Sequence, residues 1–459
     1  REILKSHPNS VDALHYLGIL QYQLRNYDVA IEYFEKALQI NPNDPSAYYN
    51  LGITYKEKGQ LDEAIACYEK TLQFNPNSAK AHYNLGTALQ EKGQYDEAIT
   101  HYQKALQLDA NFPGVYYNLG IISQDKGQLD EAISYYQKAL QLNPNLPDAY
   151  NNLGLSLREK GQLDEAITCY EKALQLDPNY ADAYSNLGNV FREKGQPDDA
   201  ISYYQKAIEL NPNFAAAYNN LGNALQDMEQ IEDAITCYKK ALMVKTDFAE
   251  ASSELVFQFQ QMCAWKELKS VTAKLNGLTR KSLDIGTKPA ESPFLSITRH
   301  ADPSTNFEIA KSWSVDIAGA MSNLKIHFPF DDRKTGKTKL VIGYLSNDFC
   351  HHATAHLMLS MFGLHNRDEF EIFCYSYGKD DGTGYRARIQ HDCDKFVDII
   401  SLSHTEAAQR IYEDQVDILV DLKGYTQGSR LAICALRPAP VQVNYLGFPG
   451  TTGADFIDY

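Results

Sequence analysis

A histidine-rich segment toward the C-terminal end of the chain carries the side chains best suited to chemistry. It reads Asn347-Asp348-Phe349-Cys350-His351-His352-Ala353-Thr354-Ala355-His356. His352 follows a short β-branched run and precedes a helical pattern, where an imidazole can face a substrate and exchange protons near neutral pH. A second interpretation stays open, in which His352 only supports its own loop by hydrogen bonding.

The spacing of His352 and His356 raises the question of a metal site. Two histidines four residues apart share a helix face, as they do in HExxH zinc sites. The glutamate of that motif is missing, and no cysteine or carboxylate pattern completes a ligand set. We therefore expect no metal and no cofactor.

A glycine-rich segment follows the last β-branched run and reads Gly447-Phe448-Pro449-Gly450-Thr451-Thr452-Gly453. Glycines let a backbone approach a ligand closely, and threonine hydroxyls can bind phosphate or sugar oxygens. The spacing is not GxGxxG, so the spacing alone favours a tight turn without a ligand.

Asparagines recur every 34 residues, each directly before a Leu-Gly pair. An amide side chain both donates and accepts hydrogen bonds, so a ladder of amides on one helix phase could hold an extended peptide backbone. Asparagine is also frequent at this position in repeats that bind nothing this way. The ladder consists of Asn50, Asn84, Asn118, Asn152, Asn186 and Asn220.

The same 34-residue period governs a glycine series and an alanine series. A fixed period with small residues at two phases predicts stacked helix–turn–helix units whose backbones approach closely. This is the tetratricopeptide repeat period. It predicts seven repeats from about Ser10 to Phe248 and a capping repeat from about Ala249 to Leu275. The glycines are Gly18, Gly52, Gly86, Gly120, Gly154, Gly188 and Gly222, and the alanines run likewise from Ala30 to Ala234.

A different pattern begins at Thr338, where β-branched runs alternate with helical patterns. This alternation predicts a parallel sheet with helices on both faces, whose ligands bind beyond the C-terminal ends of the strands. The region between, 276–337, is predicted to be a connector with a helix over residues 307–324. The predicted strands are 340–345, 370–375, 396–400, 416–422 and 441–446, and the predicted helices are 354–364, 385–392 and 405–414.

Composition excludes several classes of partner. A net charge of -16 with no basic cluster argues against nucleic acid. The eight cysteines form no CxxC pair, as expected of reduced thiols in the cytoplasm. No signal peptide is evident, and no apolar run is long enough to span a membrane. We expect a cytoplasmic protein with no membrane partner.

Over essentially its whole length the chain resembles the protein O-linked N-acetylglucosamine transferase family, in its bacterial branch. The resemblance implies an α-solenoid of tetratricopeptide repeats followed by an α/β Rossmann-like lobe, the first half of a GT-B-type glycosyltransferase. The motifs are the repeats, Met262-Cys263-Ala264-Trp265, the Phe349–Met358 loop, Asp380-Asp381-Gly382-Thr383, Gly424–Arg430, Ala435–Pro440 and Leu446–Thr451.

This resemblance implies an activity and assigns residues to it. The enzyme would transfer N-acetylglucosamine from UDP-GlcNAc to serine or threonine hydroxyls of proteins held by the repeats. The family's first-lobe histidine falls on His352, beside the sugar and the acceptor hydroxyl. Leu446, Gly447 and Pro449 would line the donor sugar, and the asparagine ladder would grip the acceptor backbone.

Two departures from the family pattern limit what can be transferred. An aspartate proposed as a proton acceptor in animal members falls on Gln409, and a nearby histidine falls on Tyr412. Mechanistic roles that rest on those two groups are therefore not assigned to this chain.

The implied domains are a repeat superhelix at residues 1–275, a connector at 276–337 and a first catalytic lobe at 338–459. In the family a second lobe supplies the lysine that neutralises the departing UDP, together with most of the uridine pocket. We therefore expect a chain truncated after its first lobe, inactive alone yet able to bind acceptors. A homodimer through the repeats is left open.

Two other functions stay open. A protein O-fucosyltransferase, as in plant relatives, would use a GDP-sugar on the same fold. A non-catalytic repeat scaffold with a degenerate appended domain is the third hypothesis, against which the intact His352 and Gly447–Gly453 loops argue.

Overall fold

Helical hairpins with a 34-residue period form the first part of the molecule. The computed structural model describes residues 9–300, 302–330 and 337–459. The first eight residues of the predicted repeat domain, and residues 331–336 of the predicted connector, lie outside the described residues. Contacts divide the chain into two units, one ending at Lys194 and the other beginning at Gly195.

In the first unit, two helices of each repeat pack antiparallel around a tight turn. Glycines such as Gly59 and Gly93 end the first helix with φ of +74° and +77°, a conformation that suits glycine. The helices are α1 (Val11–Gln23), α2 (Tyr27–Ile40), α3 (Pro45–Glu57), α4 (Leu61–Phe74), α5 (Ala79–Glu91), α6 (Tyr95–Leu108), α7 (Pro113–Asp125), α8 (Leu129–Leu142), α9 (Pro147–Glu159), α10 (Leu163–Leu176) and α11 (Ala181–Glu193).

The periodic glycines serve a more specific purpose than close backbone approach. A Cβ added at Gly120 would lie 2.5 Å from Cε1 of Tyr136, a fully buried residue of the second helix in the same repeat. The same overlap recurs between Gly52 and Tyr68. The glycine therefore makes room for an aromatic ring, and the period specifies a glycine–tyrosine contact in each of these repeats.

The second unit opens with further helical hairpins and continues into longer helices. The predicted capping boundary at residue 275 falls inside a helix that runs on to Asp284. The helices are α12 (Pro197–Leu210), α13 (Ala215–Asp227), α14 (Ile231–Val244), α15 (Ala249–Gln261), α16 (Trp265–Asp284), α17 (Pro293–Ile297) and α18 (Pro303–Ser322).

The connector helix α18 begins four residues before its predicted start. The side chain of Asp302 accepts hydrogen bonds from the backbone N–H groups of Ser304 at 3.2 Å and Thr305 at 3.0 Å. Pro303 then takes the first helical position, where its missing N–H costs nothing. The hydrophobic period located this helix, and the capping residues set where it starts.

A parallel sheet follows, as predicted. Its strand order in the described part of the chain is β3-β2-β1-β4-β5, so the chain winds outward from β1 in both directions. The elements are β1 (Leu340–Ser346), α19 (Ala353–Met358), α20 (Met361–Leu364), β2 (Phe370–Ser376), α21 (Gly384–Asp392), β3 (Lys395–Asp398), α22 (His404–Glu413), β4 (Ile418–Asp421), α23 (Ala432–Ala435) and β5 (Val441–Asn444).

The sheet is buried on both faces, which is why its central strand reads as a continuous apolar run. Leu345 of β1 belongs to the core on one face, whereas Ile342 and Tyr344 belong to the core on the other. The single helix predicted over residues 354–364 is wrong, because a turn at Leu359 and Ser360 splits it into α19 and α20. Among the described residues, no helix has both the length and the apolar character required to cross a bilayer.

Candidate active site

Loops from several strands meet at the C-terminal edge of the sheet. They pack so tightly that two glycines are required: a Cβ at Gly378 would overlap the backbone of Asn347, and one at Gly447 would overlap the backbone of Leu422. The loops after β1, β2, β4 and β5 are thereby joined into one surface. This edge is where ligands of open parallel sheets bind.

His352 lies in this surface, at the start of α19. It is the N-cap residue of that helix, and its Nδ1 accepts a hydrogen bond from the backbone N–H of Thr354 at 3.2 Å. The same Nδ1 lies 3.3 Å from Oδ2 of Asp348. About half of the side chain, 47%, is exposed. Both interpretations of His352 therefore have support: it caps its own loop, and it also presents its ring to solvent.

A buried ion pair underlies His352. Lys423 Nζ lies 3.1 and 3.0 Å from the two carboxylate oxygens of Asp348, and the two side chains are 6% and 8% exposed. Thr354 Oγ1 adds a hydrogen bond to Asp348 at 3.3 Å. Because each charge has its partner, the pair can be kept out of water. The ion pair thus fixes the carboxylate against which His352 rests.

Sequence reasoning missed this ion pair. Asp348 and Lys423 are 75 residues apart, and they meet only because β4 lies beside β1. The available signal was positional: each of the two polar residues comes within two residues of the end of its strand.

A second buried carboxylate, Asp421, organises the loop after β4. It accepts hydrogen bonds from the backbone N–H of Gly424 at 2.7 Å and from Nδ2 of Asn444 at 2.9 Å. Burial raises the pKa of Asp421 to about 6, because the charged form loses its hydration. Asp421 therefore links the ends of β4 and β5 and holds the Lys423 segment in place.

Arg386 of α21 secures the other side of the edge. It is buried and donates to Ser376 Oγ at 2.9 Å and to Asp398 Oδ2 at 2.7 Å. These contacts join the ends of β2 and β3. The arginine was not recognised from the sequence, because a single arginine on a helix is usually solvated.

The predicted donor-binding residues lie in the loop after β5. Leu446 has a φ of +68°, a strained conformation for a leucine, and its side chain is 45% exposed. Pro449 is exposed as well, whereas Phe448 is buried. The contacts that connect this loop to His352 run through the backbone of Leu422 and Lys423 and then through Asp348.

The glycines of this segment make close approaches to the chain itself. A Cβ at Gly447 would strike the backbone of Leu422, and one at Gly453, where φ is +58°, would lie 2.7 Å from the backbone nitrogen of Lys311. Thr451 Oγ1 accepts from the Gly453 N–H at 3.2 Å. These contacts account for the glycines as tight-turn residues, which was the alternative to ligand contact.

A cavity of about 360 Å³ opens beside His352. Its lining includes His351, His356 and Tyr385, and Nδ1 of His356 contacts the Tyr385 hydroxyl at 3.0 Å. His352 and His356 therefore line a common cavity. Nδ1 of His356 is committed to the tyrosine.

The two positions that depart from the family pattern have structural partners. Gln409 Nε2 donates to Glu413 on the same helix at 2.8 Å. The Tyr412 hydroxyl donates to the backbone oxygen of Pro329 at 2.6 Å, which ties α22 to the segment before the sheet.

The asparagines of the first unit use their amide nitrogens within the repeat stack. Each Nδ2 contacts a polar side chain of the preceding repeat: Asn50 contacts His15 (2.9 Å), Asn84 contacts Tyr49 (3.0 Å), Asn118 contacts Tyr102 (3.0 Å), Asn152 contacts Tyr117 (3.2 Å) and Asn186 contacts Asn151 (2.9 Å). The carboxamide oxygen is then the atom that could accept from a peptide N–H, although that of Asn152 already accepts from Nδ2 of Asn151 at 3.3 Å. Asn220, in the second unit, is half-buried.

Comparison with known proteins matches the two ends of the chain to different families. Residues 262–459 match glycosyl transferase family 41. Residues between 11 and 247 match tetratricopeptide repeats, in overlapping segments.

The curated relatives are longer proteins. A probable UDP-N-acetylglucosamine–peptide N-acetylglucosaminyltransferase SEC of Arabidopsis thaliana is 37% identical over 212 residues, which cover 45% of this chain and 22% of the relative. The Caenorhabditis elegans UDP-N-acetylglucosamine–peptide N-acetylglucosaminyltransferase is 46% identical over 122 residues, covering 26% of this chain and 11% of the relative. The chain therefore spans less than a quarter of either relative.

Among solved structures, an O-GlcNAc transferase mutant of Thermobaculum terrenum aligns with 68% of this chain and 52% of its own, at 24% identity and a TM-score of 0.38. The sequence matches agree with the repeats and the parallel sheet described above. Residues 262–459 match glycosyl transferase family 41 and follow a run of tetratricopeptide repeats, and parts of the chain are similar to proteins named as UDP-N-acetylglucosamine–peptide N-acetylglucosaminyltransferases.

Proposed function

We propose that the protein containing these residues transfers N-acetylglucosamine from UDP-GlcNAc to serine and threonine hydroxyls of other proteins. The observation that carries the proposal is His352, half-exposed at the C-terminal edge of the family 41 sheet and braced from below by a buried ion pair. A half-exposed imidazole held at its Nδ1 can meet a substrate with its other nitrogen.

The hydrogen bonds of His352 favour a positioning role over that of a general base. The Thr354 N–H can only donate, and Asp348 is already paired with Lys423. Nδ1 is therefore the acceptor, and in the neutral imidazole the proton resides on Nε2. An Nε2–H donates to an oxygen of the sugar or of the acceptor. A base at Nε2 would require the opposite tautomer.

The donor sugar would bind against the loop after β5. The exposed side chains of Leu446 and Pro449 suit a contact with the ring of a sugar, and Gly447 packs against the backbone of Leu422 and holds the loop in place. We propose that transfer requires no metal or cofactor. The charge that develops on the departing UDP needs a cation, and Lys423 is not free to supply one because it is paired with Asp348.

Acceptor proteins would bind along the repeats through the asparagine ladder. With Nδ2 committed to the preceding repeat, the carboxamide oxygens would accept from backbone N–H groups of the acceptor, with one lone pair left for this purpose on Asn152, whose oxygen also accepts from Asn151. Such recognition reads the backbone and tolerates many side chains. A homodimer through the repeats and a cytoplasmic location complete the proposal. The eight cysteines, which are unpaired in the described chain, support the location, and light scattering tests the dimer.

The direct test is transfer by a protein that contains residues 1–459 together with whatever its gene encodes after Tyr459. Purified enzyme is incubated with a serine-rich peptide and either UDP-GlcNAc or a GDP-sugar, and the product is identified by mass spectrometry. Transfer from UDP-GlcNAc supports the proposal. Transfer only from the GDP-sugar would replace it with the fucosyltransferase hypothesis, and failure with both donors would favour the scaffold.

His352→Ala tests the site itself. We expect turnover to fall by at least about tenfold, in the range of lost positioning or electrostatic contacts. His391→Ala is the matched control, because His391 is 82% exposed and pairs with its sequence neighbour Asp392. Near wild-type turnover of the His352→Ala enzyme would exclude His352 from the mechanism.

The 459-residue chain alone gives a further test. We expect it to bind acceptor peptides without binding UDP-GlcNAc at micromolar concentrations, because only one wall of the donor cleft is predicted in residues 338–459. Calorimetry with UDP-GlcNAc measures this directly. Micromolar binding would mean that the first lobe holds the donor by itself.

A further inference from the structure

Two histidines face each other across a single repeat, and neither is assigned a part in glycosyl transfer. His82 lies in the first turns of α5, and His101 lies in the middle of α6. Their Nδ1 atoms are 3.0 Å apart and both side chains are half-buried. The proposed glycosyl transfer makes no use of either residue.

The hydrogen bonds of His82 orient it as a ligand. Its Nε2 lies 3.3 Å from the backbone oxygen of Pro76, and because a carbonyl only accepts, Nε2 carries the proton. In the neutral ring the lone pair is then on Nδ1, the nitrogen that lies 3.0 Å from Nδ1 of His101. Histidines that bind metals typically donate their other N–H to a carbonyl or carboxylate in this way.

The spacing of the two nitrogens selects a coordination geometry. Two nitrogens 3.0 Å apart, each about 2.0–2.1 Å from one ion, subtend an angle of about 94° at that ion. This value is close to the 90° between adjacent ligands in a square-planar or octahedral complex and is narrower than the tetrahedral angle. Imidazole pairs in tetragonal geometry suit Cu²⁺ and Ni²⁺.

The surroundings permit a cation. Burial lowers the pKa of both imidazoles, so both rings are neutral at neutral pH, and the nearby charges of Glu97 and Lys104 oppose each other. Among the described residues no cluster of three or more His, Cys, Asp or Glu side chains is arranged to hold a metal. Water would therefore complete the coordination, and His101 would move its proton from Nδ1 to Nε2.

The other repeats show that this pair is an exception to the period. One repeat later, Tyr116 and Tyr135 take the two positions. In the second, fifth, sixth and seventh repeats, the position that corresponds to His82 is tyrosine. The position that corresponds to His101 is cysteine or tyrosine in these four repeats. These pairs are Tyr48 and Cys67, Tyr150 and Cys169, Tyr184 and Tyr203, and Tyr218 and Cys237.

We infer that His82 and His101 form a two-histidine site that binds a divalent transition-metal ion of tetragonal preference, Cu²⁺ or Ni²⁺. Bound metal would clamp α5 to α6 within the third repeat. The site is independent of glycosyl transfer, so its test does not depend on the proposed function.

The repeats supply the variant for the test. His82→Tyr combined with His101→Tyr reproduces the Tyr116–Tyr135 pair, which the same scaffold already accommodates. Calorimetry with nickel chloride alone is expected to show one equivalent bound to the native chain and its loss in the double variant. Each single substitution is expected to abolish the same equivalent, and the His391→Tyr control is expected to retain it.

Electron paramagnetic resonance with one equivalent of copper chloride identifies the ligands. The native chain is expected to give a tetragonal Cu²⁺ spectrum with hyperfine coupling to two imidazole nitrogens, and the double variant is expected to lose it. Undiminished nickel binding by a folded double variant, or a copper spectrum that is the same in both proteins, would overturn the inference.

Discussion

The repeats and the sheet region both contain lysine–aspartate ion pairs. In the repeats the same pair occurs many times, whereas the pair beneath the candidate site occurs once. In the repeats, a lysine at the end of one helix pairs with an aspartate 30 residues earlier, and this ion pair recurs. The aspartates are 81–94% exposed. The pairs are Lys58–Asp28, Lys92–Asp62, Lys126–Asp96, Lys160–Asp130 and Lys194–Asp164.

In the sheet region the ion pair beneath the candidate site is buried, and its partners come from two different strand ends. Asp348 and Lys423 are 8% and 6% exposed. A repeat array distributes its stability over similar units, so the loss of one surface contact has a small effect. A site assembled from loops that each occur once has no equivalent contacts to compensate for a loss. The loss of one ion pair should therefore matter little to the stability of the repeats but should disturb the geometry of the site.

The test with the largest expected effect replaces one lysine in each region, in separate variants. Lys423→Met leaves the carboxylate of Asp348 buried and unpaired, so we expect a loss of about 3–5 kcal/mol in stability of the sheet region. Lys92→Met removes one of the repeated surface pairs, so we expect a loss of less than about 1 kcal/mol. Hydrogen-exchange mass spectrometry on peptides covering β1, β4 and α5 measures each region separately.

The double variant Asp348→Asn with Lys423→Met is the control for this test. It removes both charges, so it should recover much of the stability lost by Lys423→Met alone. Equal losses for the two single lysine variants would contradict the distinction between redundant and single-copy contacts.

The second test uses the pH dependence of the sheet region. Burial, with a smaller contribution from Arg430, lowers the pKa of His404 to about 4 from an ordinary value of 6.5. Between pH 4 and pH 6.5, His404 is protonated to a greater extent in the unfolded chain than in the folded chain. The contribution to stability is therefore complete above pH 6.5 and is lost as pH falls toward 4. It amounts to at most about 3 kcal/mol, because the side chain is only partly buried.

Replacing His404 by glutamine should flatten that slope. Thermal unfolding between pH 4 and 7, followed by near-ultraviolet circular dichroism, is the measurement. His391→Gln, at an exposed position, should leave the slope unchanged. A His404→Gln variant with the native pH dependence would show that another group is responsible.

The third test compares two kinds of glycine within the repeats. Gly120→Ala places a Cβ 2.5 Å from the ring of Tyr136, so we expect overpacking to cost about 1–3 kcal/mol. At Gly93 nothing lies within 4 Å of the added Cβ, and only the positive φ is unfavourable, so we expect about 1 kcal/mol. Urea denaturation of both variants gives the order. A larger loss for Gly93→Ala would mean that backbone conformation outweighs ring packing.

The smallest expected effect concerns the asparagine ladder. Replacing Asn84 by alanine removes one carboxamide oxygen that could accept a hydrogen bond, worth about 0.5–1.5 kcal/mol. We therefore expect the affinity for acceptor peptides to fall about two- to tenfold. Fluorescence anisotropy with several unrelated acceptor peptides should show similar losses for each peptide. Asn77→Ala, in an exposed turn, is the control. A loss confined to one peptide would indicate side-chain recognition.

Much of the fold follows from local patterns. The 34-residue period located the helical hairpins, and glycines such as Gly59 and Gly93 end the first helix of their repeats. The five predicted strands of the sheet region are all present, with ends shifted by up to two residues. The turn at Leu359 and Ser360 was not foreseen, because the apolar residues on either side continue a helical pattern across it.

The site was predicted only in part. The order of strands and loops along the chain was enough to predict that His352 and the glycine-rich segment share one edge of a parallel sheet. Only the tertiary structure decided that Lys423 reaches Asp348, that Arg386 joins two strand ends, and that the amide nitrogens of the asparagines are already in use.

The physical reason is the range of the interactions. Helix and strand periods record burial within a few residues, so they can be read along the chain. Strand order and loop packing bring together groups such as Asp348 and Lys423, which are 75 residues apart, and no local pattern carries that pairing. The glycines show both cases: Gly93 is explained by its own backbone angle, whereas Gly447 is explained only by the backbone that packs against it.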